Sequence, residues 1–324
     1  MAKTENSKSV LIKKPFLKQQ KSVNGLSFIG YIKKEKMLYI MIIPVVLWFL
    51  IFCYLPMFGI VIAFQKFSIT KGFFGSEWIG LRNFEILFNS PDFVMILKNT
   101  LMISLKRLAF GFPAPIILAL MLNEVRNSVF KKVTQTISYM PHFLSWVIVS
   151  GLVTAALSLD GPINMAVDFL GYEKQQFLMK ESIFQGILVI SGIWKEVGWG
   201  TLLYLAAMAG TDPALYESAV LDGANRWKQT MHITIPSIKS IIIVILIMNV
   251  GGIMNAGFEQ VFLLQNPMVR DTSEIIDTFV YKVGIENANY GYAAAVGIFK
   301  SLVGFVLVLG TNYIAGKVGE DTLI

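Results

Sequence analysis

The chain has 324 residues, of which 55% are hydrophobic and only 15% charged, and its mean hydropathy is +0.61. Soluble globular proteins carry roughly 45–50% apolar and about 25% charged residues, so this composition excludes an ordinary soluble fold. The net charge of +7 does not indicate a nucleic-acid-binding face, because the nine lysines and two glutamates of residues 1–36 account for all of it. The rest of the chain holds 19 basic and 19 acidic residues, and we predict no nucleic-acid partner.

The N-terminal lysine-rich segment is followed by an apolar run that is longer than the core of a signal peptide. Because no small-residue cleavage site follows it, the sequence predicts an uncleaved membrane anchor. The single cysteine, Cys53, lies inside this run, which favours packing over reactivity. The two histidines, His142 and His232, have no ligand residue three or four positions further on, so we predict no metal site.

Six long apolar runs predict six transmembrane helices. The first has 29 uncharged residues, which at about 1.5 Å per residue exceed the roughly 30 Å hydrocarbon core of a bilayer. Three of the runs are free of charge, and charged residues interrupt the other three. In chain order the six predicted helices lie at 37–65, about 93–122, 133–159, about 183–210, 240–258 and about 290–316.

The distribution of lysine and arginine predicts the orientation of these helices. With the N-terminus inside, the cytoplasmic segments carry 16 Lys and Arg, against 7 in the outer segments, in agreement with the positive-inside rule. Both termini are therefore expected in the cytoplasm. The predicted organisation is a cytoplasmic tail at 1–36, the first helix at 37–65, an extracytoplasmic segment at 66–92, a core transmembrane domain at 93–316 and a second cytoplasmic tail at 317–324.

Backbone hydrogen bonding makes helices the expected form of these spans. In lipid every N–H and C=O needs an internal partner, which only helices or closed barrels provide, and the runs lack the alternation of barrel strands. We therefore predict an all-α integral membrane protein. The segment Gly111-Phe112-Pro113-Ala114-Pro115 breaks its helix, which requires neighbouring helices or a water-filled cavity to satisfy the freed carbonyl groups.

The predicted cytoplasmic loop at 211–236 contains the signals for two short helices. Asp212 is placed to cap the first helix, Pro213 opens it, and Gly223 suits the left-handed position that follows it. Asn225 is placed to cap the second helix. With an exposed Trp227 this predicts a docking surface, and the alternative is an ordinary capped hairpin on the surface.

The spacing in this loop matches a known family. Glu217-x-Ala219, then Asp222-Gly223-Ala224, then Ile233-x-Ile235-Pro236 resembles the cytoplasmic loop of permease subunits of binding-protein-dependent ABC importers. The family pattern is Glu-Ala-Ala, a Gly six residues after the Glu, and Ile-x-Leu-Pro after nine more. This chain departs from it mildly, with Ser218 for the second residue and Ile235 for Leu.

The resemblance extends over about residues 37–316. The segments 78–84 and 98–101 look like the start of the core domain of sugar-type permeases. Further segments are similar to the maltose- and polysaccharide-type carbohydrate branch, and they lie at 111–115, 138–145, 193–199 and 277–281. The resemblance implies the type I ABC importer permease fold with six spans.

The resemblance also implies the partners. Such a subunit pairs with a second, homologous permease in the bacterial cytoplasmic membrane, two ATPase subunits dock on the cytoplasmic loops, and an extracytoplasmic binding protein delivers the solute. Because this chain has no phosphate-binding loop motif, ATP and Mg are expected on the ATPases and no cofactor here. The loop residues implied in ATPase coupling are Glu217, Ala219, Asp222, Gly223, Ala224, Arg226, Trp227, Ile233 and Pro236.

Charged residues at membrane depth are candidates for the transport path, because they are costly when they face lipid. They are Lys106, Arg107, Lys195, Glu196 and Lys300. For each, the alternative is an ion pair or a side chain that reaches the membrane surface. Four of the five are basic, so a path that they lined would suit an anionic cargo, such as an oligosaccharide that bears uronic acids.

Sugar recognition uses aromatic rings for C–H faces and amides for hydroxyl groups. Near the fourth and fifth spans these are supplied by Trp194, Trp199, Tyr204, Asn249, Asn255, Glu259 and Gln260. For each of them alone, helix packing is the alternative, although an amide in an apolar span needs a partner. The predicted substrate-pathway residues are Lys195, Glu196, Trp194, Trp199, Asn249, Asn255, Gln260, Lys300 and Arg107.

The sequence thus predicts a non-catalytic permease subunit that imports oligosaccharides. Neutral sugars, glycerol phosphate esters, polyamines or another small solute remain alternative cargoes. An integral-membrane enzyme would need convergent carboxylates, and Asp160, Asp168 and Glu173 form no such group in the sequence. A secondary transporter would show inverted repeats, and none is visible.

Overall fold

The computed structural model describes residues 35–317. The predicted N- and C-terminal tails lie outside the described residues, apart from positions 35, 36 and 317. The chain divides into two compact units, one ending at Phe58 and the other beginning at Gly59. The first unit contains α1 (Lys36–Phe49), a π-helical turn (Leu50–Tyr54) and α2 (Leu55–Met57). Its apolar side chains are largely exposed, as expected of a helix surrounded by lipid.

A small hairpin follows near the start of the second unit. Strand β1 (Gln65–Lys66) pairs antiparallel with β2 (Glu77–Trp78), and the ring of Phe64 stacks on that of Trp78. The buried Asn83 donates to the carbonyl groups of Ala63 (2.8 Å) and Gln65 (3.2 Å), which fixes the hairpin to the helix that follows. The part of the chain that the structure describes is therefore mostly helical, in agreement with the predicted all-α class, and contains one short hairpin.

The hairpin encloses α3 (Gly72–Gly75). The later helices are, in chain order, α4 (Arg82–Asn89), α5 (Pro91–Lys106), α6 (Pro113–Glu124), α7 (Ser128–Tyr139), α8 (Trp146–Leu157), α9 (Pro162–Phe169), α10 (Glu181–Ala209), α11 (Pro213–Leu221), α12 (Arg226–Gln229), α13 (Ile235–Ser237), α14 (Lys239–Gly251), α15 (Phe258–Leu264), α16 (Arg270–Ser273), α17 (Ile276–Tyr281) and α18 (Tyr290–Lys317). Single turns of 3₁₀ or π helix join several of them.

Among the described residues, four helices are long and apolar enough to cross a membrane. They are Lys36–Phe64, Pro91–Glu124, Trp146–Phe169 and Tyr290–Ile314. A fifth candidate is the pair Arg226–Ser237 and Lys239–Gly251, which is bent by 61°. The predicted span at 183–210 is present as the continuous helix α10, which at 29 residues is about 43 Å long. It is not among the apolar candidates, because polar and charged residues, among them Lys195 and Glu196, lower its hydropathy.

Three predicted features differ from the observed helices. The run 133–159 is not one helix, because α7 ends at Tyr139 and a 3₁₀ turn (Met140–Phe143) precedes α8. Absence of charge does not reveal such a break, whereas Pro141, which lacks an N–H, marks it. The segment 111–115 bends its helix without ending it, since a π turn (Arg107–Gly111) leads into α6. Helix α14 ends at Gly251, before the predicted limit of 258.

Helix α10 lies at the centre of the second unit and contacts α5, α6, α7 and α14. It contributes Phe184 and Leu188 to one apolar core and Tyr204 and Met208 to another. Gly198 is essential to this packing, because a Cβ there would collide with the backbone carbonyl of Ser138 in α7. The glycine thus lets the two helix backbones approach closely.

Gly198→Ala should therefore destabilise the second unit. Forcing a methyl group into this contact is an overpacking change, which costs about 1–3 kcal/mol. Gly186→Ala is the matched control in the same helix, because Gly186 is exposed and its Cβ would meet nothing within 4 Å. Thermal unfolding of the detergent-purified protein should show a lower midpoint for Gly198→Ala only. Equal midpoints for the two variants would contradict this account of the α7–α10 contact.

Candidate functional site

A cavity of about 420 Å³ lies beside α10 in the second unit. Its wall is formed by the π turn after α5, the middle of α10, the end of α14 and the segment that leads into α15. Six of the nine predicted pathway residues line it, namely Arg107, Glu196, Trp199, Asn249, Asn255 and Gln260. Lys195, Trp194 and Lys300 do not.

The guanidinium of Arg107 is held in place by α15 and the residue before it. Arg107 Nη2 donates to Gln260 Oε1. Gln260 is fully buried, and its Nε2 is fixed by Leu188 O and Ser191 Oγ, each at 2.8 Å. Gly257 has φ +84°, and a Cβ at this position would collide with the guanidinium. A side chain at 257 would therefore displace Arg107.

Arg107 is the cation of this cavity that lacks an acidic neighbour. In the part of the chain that the structure describes, no carboxylate lies within ion-pair distance of it, and its buried Nε has no hydrogen-bond partner. Ser104, one turn earlier in α5, also lines the cavity, and its buried Oγ has no partner. Ser104 is not among the residues predicted from the sequence, although its spacing of three residues from Arg107 places both on one helix face.

Lys195 and Glu196 form a cluster with His142, which lies in the turn before α8. Lys195 is almost fully buried and donates to His142 O (2.8 Å) and Glu196 Oε1 (3.0 Å). Glu196 Oε2 lies 2.7 Å from His142 Nδ1. The His142 ring stacks on Trp199, with the ring centroids 4.4 Å apart. Lys195 is thus a structural ion-pair partner, while Glu196 and Trp199 face the cavity.

Two other basic residues at membrane depth also have partners. Lys300 pairs with Asp277 at 2.5 Å, and Lys106 donates to Gln185 Oε1 at 2.7 Å. The predicted basic excess along the path therefore reduces to Arg107. Asp277 lies 23 residues before Lys300, so counting charges within the spans could not reveal this pair. Trp194 is exposed and lies off the cavity.

The amides of Asn249 and Asn255 are exposed and line the cavity. Asn249 Nδ2 donates to Ile245 O at 2.8 Å in its own helix, which satisfies one donor in an apolar span. With Trp199 they give the cavity the aromatic and amide groups that suit a polyhydroxylated ligand. Among residues 35–317, no group of three or more His, Cys, Asp or Glu side chains could hold a metal ion.

The loop at 211–236 has the local structure that its sequence predicts. Asp212 caps α11 by accepting from Ala214 N at 2.9 Å, and Asn225 caps α12 by accepting from Lys228 N at 2.9 Å. Gly223 between them has φ +75°. Glu217 is exposed, as is Trp227, and this part of the chain therefore presents polar and aromatic groups together.

Two further contacts hold the loop together and link it to α6. Tyr216 bonds to Thr234 Oγ1 at 3.0 Å, and Arg226 pairs with Glu124 at the end of α6 at 2.5 Å. Arg226, which was predicted to flank the ATPase contact, therefore has an internal role. Of the other predicted coupling residues, Ala219, Ala224 and Ile233 are half-buried, and Asp222 and Pro236 are exposed.

Comparison with known proteins identifies the family of this chain. Residues 111–320 match the family described as binding-protein-dependent transport system inner membrane component. Protein LplB of Bacillus subtilis (strain 168) is 47% identical over 300 residues, which cover 92% of this chain and 94% of that protein. The polygalacturonan/rhamnogalacturonan transport system permease protein YteP of the same organism is 49% identical over 289 residues, which cover 89% and 90%.

Two solved structures are also similar. A bacterial alginate ABC transporter, in complex with an alginate pentasaccharide-bound periplasmic protein, contains a chain with TM-score 0.85 and 40% identity, covering 91% of this chain and 99% of that one. A bacterial ABC transporter involved in the import of the acidic polysaccharide alginate gives TM-score 0.84 and 42% identity, covering 89% and 98%. The resemblance seen in the loop is thereby confirmed, and the chain belongs to the family of inner membrane components of binding-protein-dependent transport systems.

Proposed function

We propose that this chain is the permease subunit of an ATP-driven importer of acidic oligosaccharides. The observation that carries the proposal is the cavity beside α10, where Arg107 lacks an acidic neighbour among aromatic and amide groups. The names of the relatives support it, since YteP is named for polygalacturonan/rhamnogalacturonan and the two similar structures for alginate. All of these are polymers that bear carboxylates.

The proposed setting is the bacterial cytoplasmic membrane, with six spans and both termini in the cytoplasm. The sixth span would be helix α10, whose polar residues exclude it from the helices that qualify by hydropathy alone. The chain would pair with a second, homologous permease, and an extracytoplasmic binding protein would deliver the oligosaccharide. ATP and Mg would bind to two partner ATPases, so this subunit would itself be non-catalytic.

The proposed mechanism is alternating access. ATP-driven closure of the ATPases would move α11, with Glu217 making a charge-assisted contact in a groove of the ATPase. Because α11 follows α10 after only three residues and Arg226 pairs with Glu124 of α6, such a movement would reach α10 and α6, which both contribute residues to the cavity wall. The cavity would then open in turn toward each side of the membrane.

The first prediction concerns cargo. The transporter is reconstituted in proteoliposomes with its own binding protein. It should take up trigalacturonate at least about tenfold faster than galactotriose of the same length and linkage. The neutral sugar would lose one charge-assisted contact, which accounts for a difference of this size. Uptake can be followed with labelled saccharides. Equal rates, or a preference for the neutral sugar, would contradict the acidic-cargo proposal, and uptake of a glycerol phosphate ester alone would favour that alternative.

The second prediction concerns coupling. Glu217→Lys or Gly223→Asp should leave the complex in the membrane but reduce ATP-driven uptake by about ten- to hundredfold, because the docking contact is lost. ATP hydrolysis should continue without matching transport. Lys132→Glu is the control, since Lys132 is an exposed residue of α7 and its reversal is an equal change of charge in another predicted cytoplasmic segment. Unchanged uptake in well-folded Glu217→Lys would refute the docking assignment.

A further inference from the structure

We infer that Arg107 determines cargo specificity by binding one carboxylate of the oligosaccharide as it crosses the cavity. This inference rests on the proposed function and assigns its charge selectivity to one residue. The receptor would be the N–H groups of the guanidinium that remain free, because the bond to Gln260 occupies only one N–H of Nη2. Adjacent N–H groups of a guanidinium bind a carboxylate with two parallel hydrogen bonds, either from Nε and Nη2 or from the two Nη atoms.

The surroundings of Arg107 keep its guanidinium in one position. Gln260 is anchored by two hydrogen bonds to α10, so it acts as a fixed acceptor for Nη2. The bare Cα of Gly257 leaves the space that the guanidinium occupies. A receptor that is already oriented loses little conformational entropy when its ligand arrives.

Arg107 has no internal counter-charge among the described residues. Within residues 35–317, Lys195 and Lys300 each have a carboxylate partner, whereas Arg107 lines the cavity without one. Glu196, the acidic residue on the cavity wall, is already engaged by Lys195 and His142. An uncompensated cation is left for a ligand to neutralise, and a carboxylate is the group that matches it.

Ser104 adds a second donor to this position. Ser104 lines the same cavity from the same helix face, and its buried Oγ has no partner in the described structure. A carboxylate bound to Arg107 has further lone pairs, which a hydroxyl group can satisfy. A neutral sugar has a hydroxymethyl group where the acidic sugar has its carboxylate, and it would leave the charge of Arg107 unpaired. This difference between the two sugars would produce the selectivity.

The test compares Arg107→Gln and Arg107→Lys with Lys106→Gln. Lys106→Gln is a matched control, because it removes one positive charge from the adjacent position while Lys106 lies off the cavity and bonds to the neutral Gln185. Each variant is assembled with its partner subunits in proteoliposomes. Uptake of trigalacturonate and of its methyl ester, in which the carboxylates are neutral, is measured with the same binding protein. The binding protein's own preference for one substrate affects the variant and the wild type equally, so it cancels when uptake by the variant is divided by uptake by the wild type.

We expect Arg107→Gln to reduce uptake of trigalacturonate by about ten- to hundredfold and uptake of the ester by less than about threefold. Arg107→Lys keeps the charge but loses the planar fork, so its loss should be intermediate. Lys106→Gln should leave the acid-to-ester ratio unchanged. Binding-protein-stimulated ATP hydrolysis reports whether each variant is assembled.

Two results would overturn the inference: unchanged uptake of both substrates by Arg107→Gln, or equal fold losses for both, since either leaves the acid-to-ester ratio equal to that of wild type. The second would show that Arg107 has only a structural role. Failure of the proposed function is distinguishable, because it would appear in the wild type as uptake that does not favour the acid. If Arg107→Gln does not assemble, the ratio in Arg107→Lys decides between the same outcomes.

Discussion

The packing of α10 is the constraint on which the second unit depends. This helix carries Lys195 and Glu196 near its middle, and such a pair cannot face lipid without a large cost. Its surroundings must therefore be protein or a polar cavity, and both are present. Lys195 is buried against the turn at His142, while Glu196 faces the cavity. The glycine at 198 allows α7 to approach closely enough for these contacts.

Local features of the chain could be predicted from the sequence because their causes are local. Asp212, Gly223 and Asn225 define the two loop helices through capping and a left-handed turn, and the structure has all three as predicted. The break at 140–145 was also visible in principle through Pro141. The break was missed because hydropathy reflects the tendency of a segment to lie in lipid and does not show whether its helix is continuous.

Contacts between distant segments could not be predicted in the same way. The pairing of Arg107 with Gln260 joins residues 153 positions apart, and nothing in the neighbourhood of either residue indicates the other. Asp277 neutralises Lys300 for a similar reason. Six of the nine predicted pathway residues line one cavity, whereas the partners of Lys106, Lys195 and Lys300 could not be found by counting charges along the spans.

The cavity and the cytoplasmic loop are physically connected by two routes. Helix α10 runs from Glu196 and Trp199 to Ala209, and α11 begins four residues later at Pro213. The second route runs from Arg107 along α6 to Glu124, which holds Arg226 of the loop. A displacement of the loop would therefore move both cavity walls. One side of the cavity carries the cation Arg107, and the other carries the amide of Gln260, which is anchored to α10. Relative movement of these helices would change how firmly Gln260 holds Arg107. It would thereby change the affinity of Arg107 for an anion.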